Sequence, residues 1–495
     1  MEAQETGIYP RLDDSALLRS WSNIGKFCVY DSSGDYLFKL SQKEYQFLTQ
    51  CDGMHTLSEL YAVNGKIPTK AYLEEFQKLG VLTVISEKKE INGINKAHDS
   101  KVFVRNACWL ITGSCNLACK HCYMRAPEGY WGRPLDWEKM CRILDEFQKC
   151  NVLSIVITGG EPTSRSDFAK LVEEINRRKI HIRGMNTNGT LLLKDNKLKA
   201  FENLPYTPDI SFSLDGIEFH KQFRGVADTT LILDAIKAAI SAGMHVSINT
   251  SLTKSNSKNE VPHMYDTIKS LGIDAWKIHY PNRIGRWKDN NKDDTTDHDA
   301  ISVEEEFATY KCIFDRWISE GKPFHLSMGN IFRDGKCSVY NEQNEEVDMY
   351  DPSTYACDYY RDEVVVMPDG RLLGCNGLME IPGYEYTGNI LLDGLEGTWN
   401  GAAMRKFKDI TVEDLLDVKG NEACRECPLL PDCGTGCRIA AYAETGNLLS
   451  RDPHMCEIML KHYSYFQEED RRPAGSRPLP TQEVLMKQFE RTFKK

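Results

Sequence analysis

Three cysteines that could hold one metal centre lie close together in the chain. Cys115, Cys119 and Cys122 form a C-x3-C-x2-C run after a strand-like segment, residues 108–112, and a short Gly-Ser turn. Thiolates are the standard ligands of iron–sulfur clusters. Three thiolates on a four-iron cluster leave one iron open, and a metal site with an open position is typical of catalysis rather than structure. Three ordinary thiols, or a zinc site completed by a distant residue, are the alternatives.

A glycine-rich turn that carries a carboxylate, Gly159-Gly160-Glu161-Pro162, follows a predicted strand over residues 153–158. Glycines let the backbone approach a ligand closely, and a carboxylate can pair with an ammonium group. On its own this motif is usually a plain βα turn. Further polar side chains follow later predicted strands: Asn188, Ser213 and Asp215.

A second group of cysteines occupies the last third of the chain. It reads C-x12-G-x4-C, then C-x2-C-x5-C-x3-C, then one more cysteine, and comprises Cys357, Cys375, Cys424, Cys427, Cys433, Cys437 and Cys456. These close spacings indicate metal clusters, with zinc knuckles as the alternative. Six other cysteines lie mostly in apolar or helical contexts, and we expect them to be packing residues: Cys28, Cys51, Cys108, Cys141, Cys150 and Cys312.

The elements that must position these residues alternate between strand and helix from Phe103 to about Pro281. The predicted strands are 108–112, 153–158, 181–186, 209–214, 245–250 and 276–280, and the predicted helices are 136–149, 166–178, 229–242 and 260–271. The alternation predicts parallel βα units, and six strands suggest an α/β fold built on a partial, TIM-like (β/α)6 barrel. In such folds the chemistry lies at the carboxyl ends of the strands, where the polar motifs fall. We expect a helix over 302–320 and interpret residues 286–304 as a solvated, charged loop.

Residues 22–88 form a separate module with a hairpin, three helices and a last strand. Two capping boxes, which begin at Ser41 and Thr56, mark its first two helices. A hairpin with three helices is a winged-helix-like α+β pattern, so DNA binding has to be considered. The third helix carries Glu74 and Glu75, which phosphates would repel, and this argues against DNA. A polar linker over residues 89–101 separates the module from the barrel.

Bulk composition narrows the class of protein. The net charge of −11 argues against nucleic-acid binding, and no apolar run approaches the roughly 20 residues of a membrane span. Seventeen cysteines without a signal-peptide pattern favour metal or redox use in the reducing cytoplasm over disulfides.

The C-x3-C-x2-C run resembles the signature of the radical S-adenosylmethionine (SAM) enzymes, whose open iron chelates the amino and carboxylate groups of SAM. His121 departs from the pattern, since the family most often has an aromatic residue there. We expect its imidazole to pack against the adenine side. The resemblance implies contacts to SAM from Gly159, Gly160, Glu161 and Pro162 at the amino group, from Ser213 at the ribose or carboxylate, from Arg224 at the carboxylate, and from Asn188 and Asp215 at the barrel mouth.

The second cysteine group resembles the SPASM extension of these enzymes, which holds two auxiliary iron–sulfur clusters. Carried over by position, Cys357, Cys375 and Cys437 serve the first auxiliary cluster, and Cys424, Cys427, Cys433 and Cys456 serve the second. Cys337 could complete the first cluster, or one iron could stay open for a substrate thiolate. Asn376 stands where sulfatase-maturating relatives have an aspartate base, which argues against that activity.

The first module resembles the leader-peptide recognition domain of enzymes that modify ribosomally made peptides, and a structural appendage without a binding role is the alternative. In that family the leader adds a strand to the small sheet. The implied domains are leader recognition at 22–88, the SAM barrel at 103–320, a bridge at 321–354, the SPASM domain at 355–460 and a tail at 461–495.

The resemblance thus implies a peptide-modifying radical SAM enzyme that uses SAM and three [4Fe–4S] clusters. We expect a 5′-deoxyadenosyl radical to take hydrogen from a precursor peptide whose leader is bound at residues 22–88, and a flavodoxin or ferredoxin type of reductant to supply electrons. The predicted product is a cysteine thioether crosslink. Carbon–carbon crosslinking or another oxidative change is the alternative within the class, and an iron–sulfur, redox-sensing DNA regulator is the alternative outside it. Neither nucleic acid nor membrane is an expected partner.

Overall fold

The computed structural model describes residues 7–64, 69–127, 131, 133–226, 228–290, 299–334, 339–340, 346–347, 353–357, 362–467 and 480–493. Its strands are β1 (Tyr9–Leu12), β2 (Ala16–Trp21), β3 (Lys26–Asp31), β4 (Tyr36–Leu40), β5 (Leu82–Ile85), β6 (His98–Asp99), β7 (Asn106–Leu110), β8 (Ser154–Thr158), β9 (His181–Thr187), β10 (Asp209–Ser213), β11 (Val246–Ser251), β12 (Ala275–His279), β13 (His325–Met328), β14 (Phe332–Arg333), β15 (Val339–Tyr340), β16 (Glu346–Val347), β17 (Glu363–Val366) and β18 (Leu372–Leu373).

Helices connect most of these strands and form much of the C-terminal region. They are α1 (Gln42–Leu48), α2 (Leu57–Asn64), α3 (Thr69–Lys78), α4 (Trp137–Lys149), α5 (Phe168–Arg177), α6 (Glu218–Arg224), α7 (Thr230–Ser241), α8 (Lys254–Ser257), α9 (Met264–Leu271), α10 (Arg286–Asn290), α11 (Val303–Ser319), α12 (Gly394–Trp399), α13 (Ala402–Lys408), α14 (Val412–Leu416), α15 (Leu430–Cys433), α16 (Arg438–Thr445), α17 (Pro453–Phe466) and α18 (Gln482–Phe493).

The central sheet has the order β14-β13-β12-β11-β10-β9-β8-β7-β17-β18. The strands from β13 to β17 in this order are all parallel to their neighbours, and β14 and β18 pair antiparallel at the two ends. The six predicted strands are confirmed as β7 to β12, in chain order. α-Helices lie between successive strands except between β9 and β10, which a 3-10 helix, Lys194–Phe201, connects. The sequence did not predict β13 or β17, which extend the row by one parallel strand on each side.

The two faces of this sheet differ in character because side chains alternate along a strand. On one face, apolar residues are fully buried against helices α4, α5, α7, α9 and α11 and form the main core, with Trp109, Ile157, Phe212, Ile248 and Trp276 at its centre. The opposite face is polar at β10 to β12, with Ser211, Asn249 and Lys277 among its side chains, and apolar at β7 and β17, where Leu110 and Val365 belong to a smaller cluster. The indole nitrogen of Trp276 donates to Thr250 Oγ1 at 2.9 Å, so this large core residue has no unmet polar atom.

The N-terminal module contains a four-stranded sheet of order β4-β3-β2-β6 and a separate β1–β5 pair. It extends beyond the predicted range 22–88, because β1 and β2 precede residue 22 and β6 lies within the predicted linker. Both predicted capping boxes are present, from Ser41 to Glu44 and from Thr56 to Glu59. The linker also docks on the module: Asn95, fully buried, donates to the backbone oxygen of Ala16 at 2.6 Å.

The module contacts the amino ends of the sheet strands. Asn151, just before β8, donates from Nδ2 to Ser20 O at 3.1 Å, and Nδ1 of His181, at the start of β9, lies 2.9 Å from Ser32 O. The cysteine run follows β7 and lies at the carboxyl ends, so the sheet separates the two. No helix in the part of the chain that the structure describes is long and apolar enough to cross a bilayer.

Candidate functional site

The loop that carries Cys115, Cys119 and Cys122 is fixed on one side by the Gly159-Gly160 turn. The backbone nitrogen of Gly160 donates to Thr112 O at 2.8 Å, and that of Glu161 donates to Ser114 O at 2.8 Å. A Cβ atom at Gly160 would lie 2.2 Å from Ser114 O, and one at Gly159 would lie 2.5 Å from Thr112 O. Both glycines are therefore required by the close approach of the two loops.

The other side of the loop is fixed by α10 and the turn before it. Arg286 donates from Nη1 to Cys119 O at 2.7 Å and from Nη2 to Ala126 O at 2.6 Å, and its backbone nitrogen donates to Cys122 O at 3.0 Å. Asn290 donates to Lys120 O at 3.0 Å. The expectation of a solvated loop over 286–304 is therefore wrong for 286–290, because these polar groups bind the cysteine loop. Residues 291–298 lie outside the described residues.

The three thiols are half-buried, and none of them forms a disulfide. Burial raises the pKa of Cys115 to about 12 and raises that of Cys119. Arg224, beside Cys119, acts in the opposite direction. A bound metal deprotonates such thiols outright. No group of three Cys, His, Asp or Glu side chains among the described residues is arranged to hold a single metal ion. A cluster binds each thiolate through a different iron, so this donor set fits an iron–sulfur cluster.

Glu161 is fully buried beneath this loop. Its Oε1 accepts from Thr163 N at 3.1 Å and from the hydroxyls of Thr163 and Thr187, and its Oε2 accepts from Asn188 N at 2.8 Å. Burial raises the pKa of the carboxyl, although these four hydrogen bonds oppose the shift. Oε1 is saturated, while Oε2 can accept another donor. The carboxylate joins the ends of β8 and β9 and keeps one oxygen for a cationic ligand.

Asn188 lies directly against the cysteine loop. Its Nδ2 is 3.9 Å from Cys115 Sγ and donates to Asn116 Oδ1 at 3.0 Å. Its Oδ1 accepts from the hydroxyl of Thr190 at 2.7 Å, and Asn116 donates to Thr190 Oγ1 at 2.8 Å. The ring of hydrogen bonds fixes Asn188 at the mouth of the sheet, as the sequence predicted.

Asp215 supports Arg224 rather than standing free for a ligand. The carboxylate is fully buried and accepts from Arg224 Nε at 2.5 Å and Nη2 at 3.2 Å, and from Ser251 N at 2.7 Å. Burial alone would raise the pKa of Asp215, but the Arg224 charge and hydrogen bond hold it well below its ordinary value. Ser213 lies two residues before Asp215, at the end of β10, and is half-buried. Its hydroxyl has no hydrogen-bond partner among the described residues. Arg224 and Ser213 therefore face the site, and Asp215 anchors the first of them.

His121 stacks on Phe223, with 4.4 Å between the ring centroids and 6° between the ring planes. Phe223 in turn stacks on Phe219 at 4.8 Å, and its carbonyl accepts from Lys120 N at 2.9 Å. Burial lowers the pKa of His121 to about 3, so the ring is neutral. One face of this imidazole is thus covered by the protein.

The seven C-terminal cysteines fall into two groups in space. Cys424, Cys427, Cys433 and Cys456 are close enough for their charges to act on one another, and burial raises the pKa of each. Cys357, Cys375 and Cys437 pack against a different apolar cluster around Leu378 and Ile439. These are the two sets that the sequence predicted. Cys337 lies outside the described residues.

The sequence did not predict that two further residues lie near the group of Cys357, Cys375 and Cys437. Cys108 packs against an apolar cluster that includes Leu110 and Val365, as expected, but it also lies close enough to Cys375 for a charge on it to raise the pKa of that thiol. Tyr123, next to Cys122, packs against both apolar clusters that border Cys122 and Cys375. The period-two pattern of β7 places Cys108 opposite the buried Ala107 and Trp109, and this was the available signal.

Comparisons with known proteins agree with this arrangement. A model of the Radical SAM superfamily matches residues 109–268, and a model of the SPASM iron-sulfur cluster-binding domain matches residues 357–428. The chain is 30% identical over 184 residues to the AdoMet-dependent heme synthase of Oleidesulfovibrio alaskensis, which covers 36% of this chain and 46% of that protein. It is 25% identical over 359 residues to the mycofactocin maturase MftC of Mycolicibacterium smegmatis, which covers 70% of this chain and 82% of that protein.

A solved structure with a similar fold is that of Streptococcus suis SuiB bound to the precursor peptide SuiA. Its TM-score is 0.63 at 17% identity, and the match covers 90% of this chain and 99% of that chain. The chain therefore contains a radical SAM domain in an α/β fold, followed by an SPASM iron–sulfur cluster-binding domain.

Proposed function

We propose that this protein is a SAM-dependent enzyme that modifies a ribosomally made precursor peptide by forming cysteine thioether crosslinks. The observation that carries the proposal is that two groups of thiols border the same face of the sheet. The Cys115 loop lies at the carboxyl end of β7, and its Cys122 packs on the same apolar cluster as Cys108 of that strand. Cys108 in turn lies near Cys375. Glu363 and Arg183, paired at 3.1 Å, lie near that point.

The residues of the Cys115 loop would hold a [4Fe–4S] cluster, and SAM would bind beside it. When bound, the reduced cluster and SAM supply a 5′-deoxyadenosyl radical that takes a hydrogen atom from the substrate. Glu161 Oε2 would accept from the amino group of SAM, and the Gly159-Gly160-Glu161-Pro162 turn would line it. Arg224 and Ser213 would bind the carboxylate or ribose, with Asn188 beside Cys115.

The first auxiliary group favours sulfur chemistry. Cys357, Cys375 and Cys437 would hold a cluster with one position to be filled by Cys337, by Cys108 or by a substrate thiolate. Asn376 follows Cys375 and accepts from its Sγ at 3.5 Å, so no acidic residue follows this cysteine. An iron that is open to a substrate thiolate would activate it for bond formation. The four-cysteine group would hold the second auxiliary cluster and accept the released electron, and a flavodoxin or ferredoxin type of protein would supply electrons to the SAM cluster.

The leader peptide would bind to the N-terminal module by adding a strand. Strand β4 is at the edge of its sheet and pairs only with β3 among the described strands. Its side chains are exposed or half-buried, with Tyr36 64% exposed. An edge of this kind accepts an extended peptide through backbone hydrogen bonds. A tethered substrate reaches an effective concentration of about millimolar, so the reacting residue itself needs little sequence recognition.

The test is anaerobic incubation with SAM, a reductant and a candidate precursor peptide that contains cysteine. We expect 5′-deoxyadenosine, a peptide mass lower by two hydrogens per bond, and a cysteine that can no longer be alkylated after reduction. A mass loss with the cysteine still alkylatable would indicate carbon–carbon crosslinking instead. Salt-dependent binding to duplex DNA without 5′-deoxyadenosine would support the regulator and contradict the proposal.

A further inference from the structure

A buried donor without a partner lies beside the four-cysteine group. The Nε atom of Arg451 is buried and has no hydrogen-bond partner among the described residues. A buried N–H group without a partner is energetically unfavourable, so such groups are rare in native proteins. This N–H therefore marks a place where an acceptor is expected.

The rest of the Arg451 guanidinium is held in place by backbone carbonyls. Its Nη1 donates to Gly420 O, and its Nη2 donates to Thr492 O at 3.4 Å. The backbone nitrogen of Arg451 donates to Oδ1 of Asn421 at 2.7 Å, and the Asn421 carbonyl accepts from Cys424 N at 2.8 Å. The guanidinium thus connects the turn before Cys424 to the last turn of α18.

The cation lies close to two of the four thiols. Its charge acts to lower the pKa of both Cys424 and Cys456, against the larger effect of burial. Arg438, the other cation near Cys424, donates to the carbonyls of Thr435, Leu448 and Ser450. The nearby carboxylate of Glu422 accepts from Gly420 N at 3.0 Å. At Cys424 the charge of Arg451 acts more strongly than that of Arg438, and Arg451 acts on Cys456 as well.

Helix α18 braces this arrangement. Leu485 is fully buried, and Gln488, 5% exposed, donates from Nε2 to Ala423 O at 2.6 Å, directly before Cys424. The ring of Phe493 lies 5.5 Å from the guanidinium carbon of Arg451. Phe489 and Phe493 pack on the same core cluster as Cys427, Cys433 and Cys456. The tail helix, for which the sequence indicated no role, covers the four-cysteine group.

We propose that Arg451 donates its Nε–H to a sulfur atom of the cluster held by Cys424, Cys427, Cys433 and Cys456, and that α18 fixes the guanidinium there. The proposal rests on the ligand assignment made under the proposed function. Hydrogen bonds to the sulfurs and solvent exposure set the reduction potential of an iron–sulfur cluster. A nearby cation with an N–H···S bond stabilises the reduced, more negative form, so Arg451 raises the potential of this cluster.

The experiment is a redox titration of the full-length protein, followed by electron paramagnetic resonance, with a low-potential chemical reductant. Cys115, Cys119 and Cys122 are replaced by alanine to remove the first signal. We expect Arg451→Met to lower the equilibrium constant for one-electron reduction of this cluster at least tenfold, which is about 59 mV. Arg451→Lys keeps the charge but loses the Nε–H, so we expect a smaller shift in the same direction.

A matched control is Arg425→Met. Arg425 directly follows Cys424, but it is exposed and pairs with Glu413 at 2.9 Å and Asp417 at 2.7 Å. We expect no measurable shift, because solvent screens this charge. A shift as large as that of Arg451→Met would show a general charge effect and overturn the proposal. A titration of Arg451→Lys identical to that of the parent would overturn the hydrogen bond.

A second variant tests the brace. Truncation after Pro480 removes the Thr492 carbonyl and Phe493, and we expect it to lower the potential as well. In combination with Arg451→Met it should add little, because both changes remove one interaction. Full additivity would contradict a brace that acts through Arg451. Iron content and the effect of Cys427→Ala are measured in parallel, since a Cys427→Ala variant that keeps all its iron refutes the ligand assignment rather than the role of Arg451.

Discussion

The Cys115 loop and the Cys424 group show two ways to prepare thiols for a metal cluster. The Cys115 loop lies at the edge of the sheet and is held by hydrogen bonds from distant segments, the Gly159-Gly160 turn on one side and Arg286 on the other. The Cys424 group is enclosed among apolar side chains and covered by α18. The first arrangement leaves side chains such as Ser213 facing the site, and the second leaves little room for a ligand. The Cys115 loop can therefore stay open to a ligand because segments outside it hold it in place. Variants in each of the two regions test this difference.

The largest effect is expected from removing ligands. Replacement of Cys115, Cys119 and Cys122 by alanine should reduce SAM cleavage to background and remove about four irons, the content of one cubane. The C-terminal clusters should remain, because none of the cysteines assigned to them is changed. Product chromatography and iron analysis measure both. Cys312→Ala is the matched control, since this exposed thiol belongs to neither group. Retained cleavage in the triple variant would refute the assignment of the loop.

The next effect concerns the anchor beneath Arg224. Asp215→Asn should destabilise the protein by about 3–5 kcal/mol, since it leaves a buried guanidinium without its counter-ion. It should also weaken SAM binding. The folded pKa of Asp215 is depressed, so its contribution is present above the unfolded value of about 3.9 and is lost as the pH falls toward the folded value.

Denaturant titrations between about pH 5 and pH 2 measure this loss. The parent protein should lose stability across this range more steeply than the Asn variant, because asparagine has no carboxylate that binds a proton. Asp228→Asn is the control, because Asp228 is exposed and its carboxylate accepts hydrogen bonds from the uncharged Thr230 rather than from a buried guanidinium. Parallel curves for the parent and Asp215→Asn would contradict the buried ion pair.

The smallest effect is expected from removing Arg286, because the Gly159-Gly160 turn also holds the Cys115 loop. Arg286→Ala removes two charge-assisted hydrogen bonds to the Cys119 and Ala126 carbonyls. The Gly159-Gly160 turn still holds the loop, so we expect a cluster that assembles but is lost faster in air. Bleaching of the cluster absorbance measures the rate. The control is Lys288→Ala, on the exposed face of the same helix, which should bleach at the rate of the parent protein. Equal bleaching rates of all three proteins would show that Arg286 does not stabilise the loop.

The sequence predicted well those features that depend on local periodicity. The six strands β7 to β12 show alternating or continuous apolar residues between turn signals, and their ends lie within two residues of the prediction. Features that depend on distant pairing were missed. Strand β17 pairs with β7 from more than 250 residues away, and nothing in either segment specifies the partner.

In the candidate site, too, the sequence predicted the features that depend on local pattern and missed those that depend on contacts between distant residues. The cysteines and the Gly159-Gly160 turn were identified because their chemistry depends on residue type and spacing. Arg286 was interpreted as solvated because charged residues surround it, although its guanidinium binds the cysteine loop. Asp215 was taken for a ligand of SAM because its strand position is right, and only the structure shows that Arg224 and Ser251 occupy its oxygens.

The docking of the N-terminal module at the amino ends of the strands has a consequence for any precursor peptide. A strand of five residues, such as β7, is about 17 Å long at 3.3–3.4 Å per residue. An extended chain also advances at most about 3.3–3.6 Å per residue. A leader anchored on the module must therefore be followed by at least about five residues before the first one that can reach the cysteine loop. Precursors with a shorter spacer would bind without being modified. The shortest spacer that allows modification would measure the distance between the leader site and the cysteine loop.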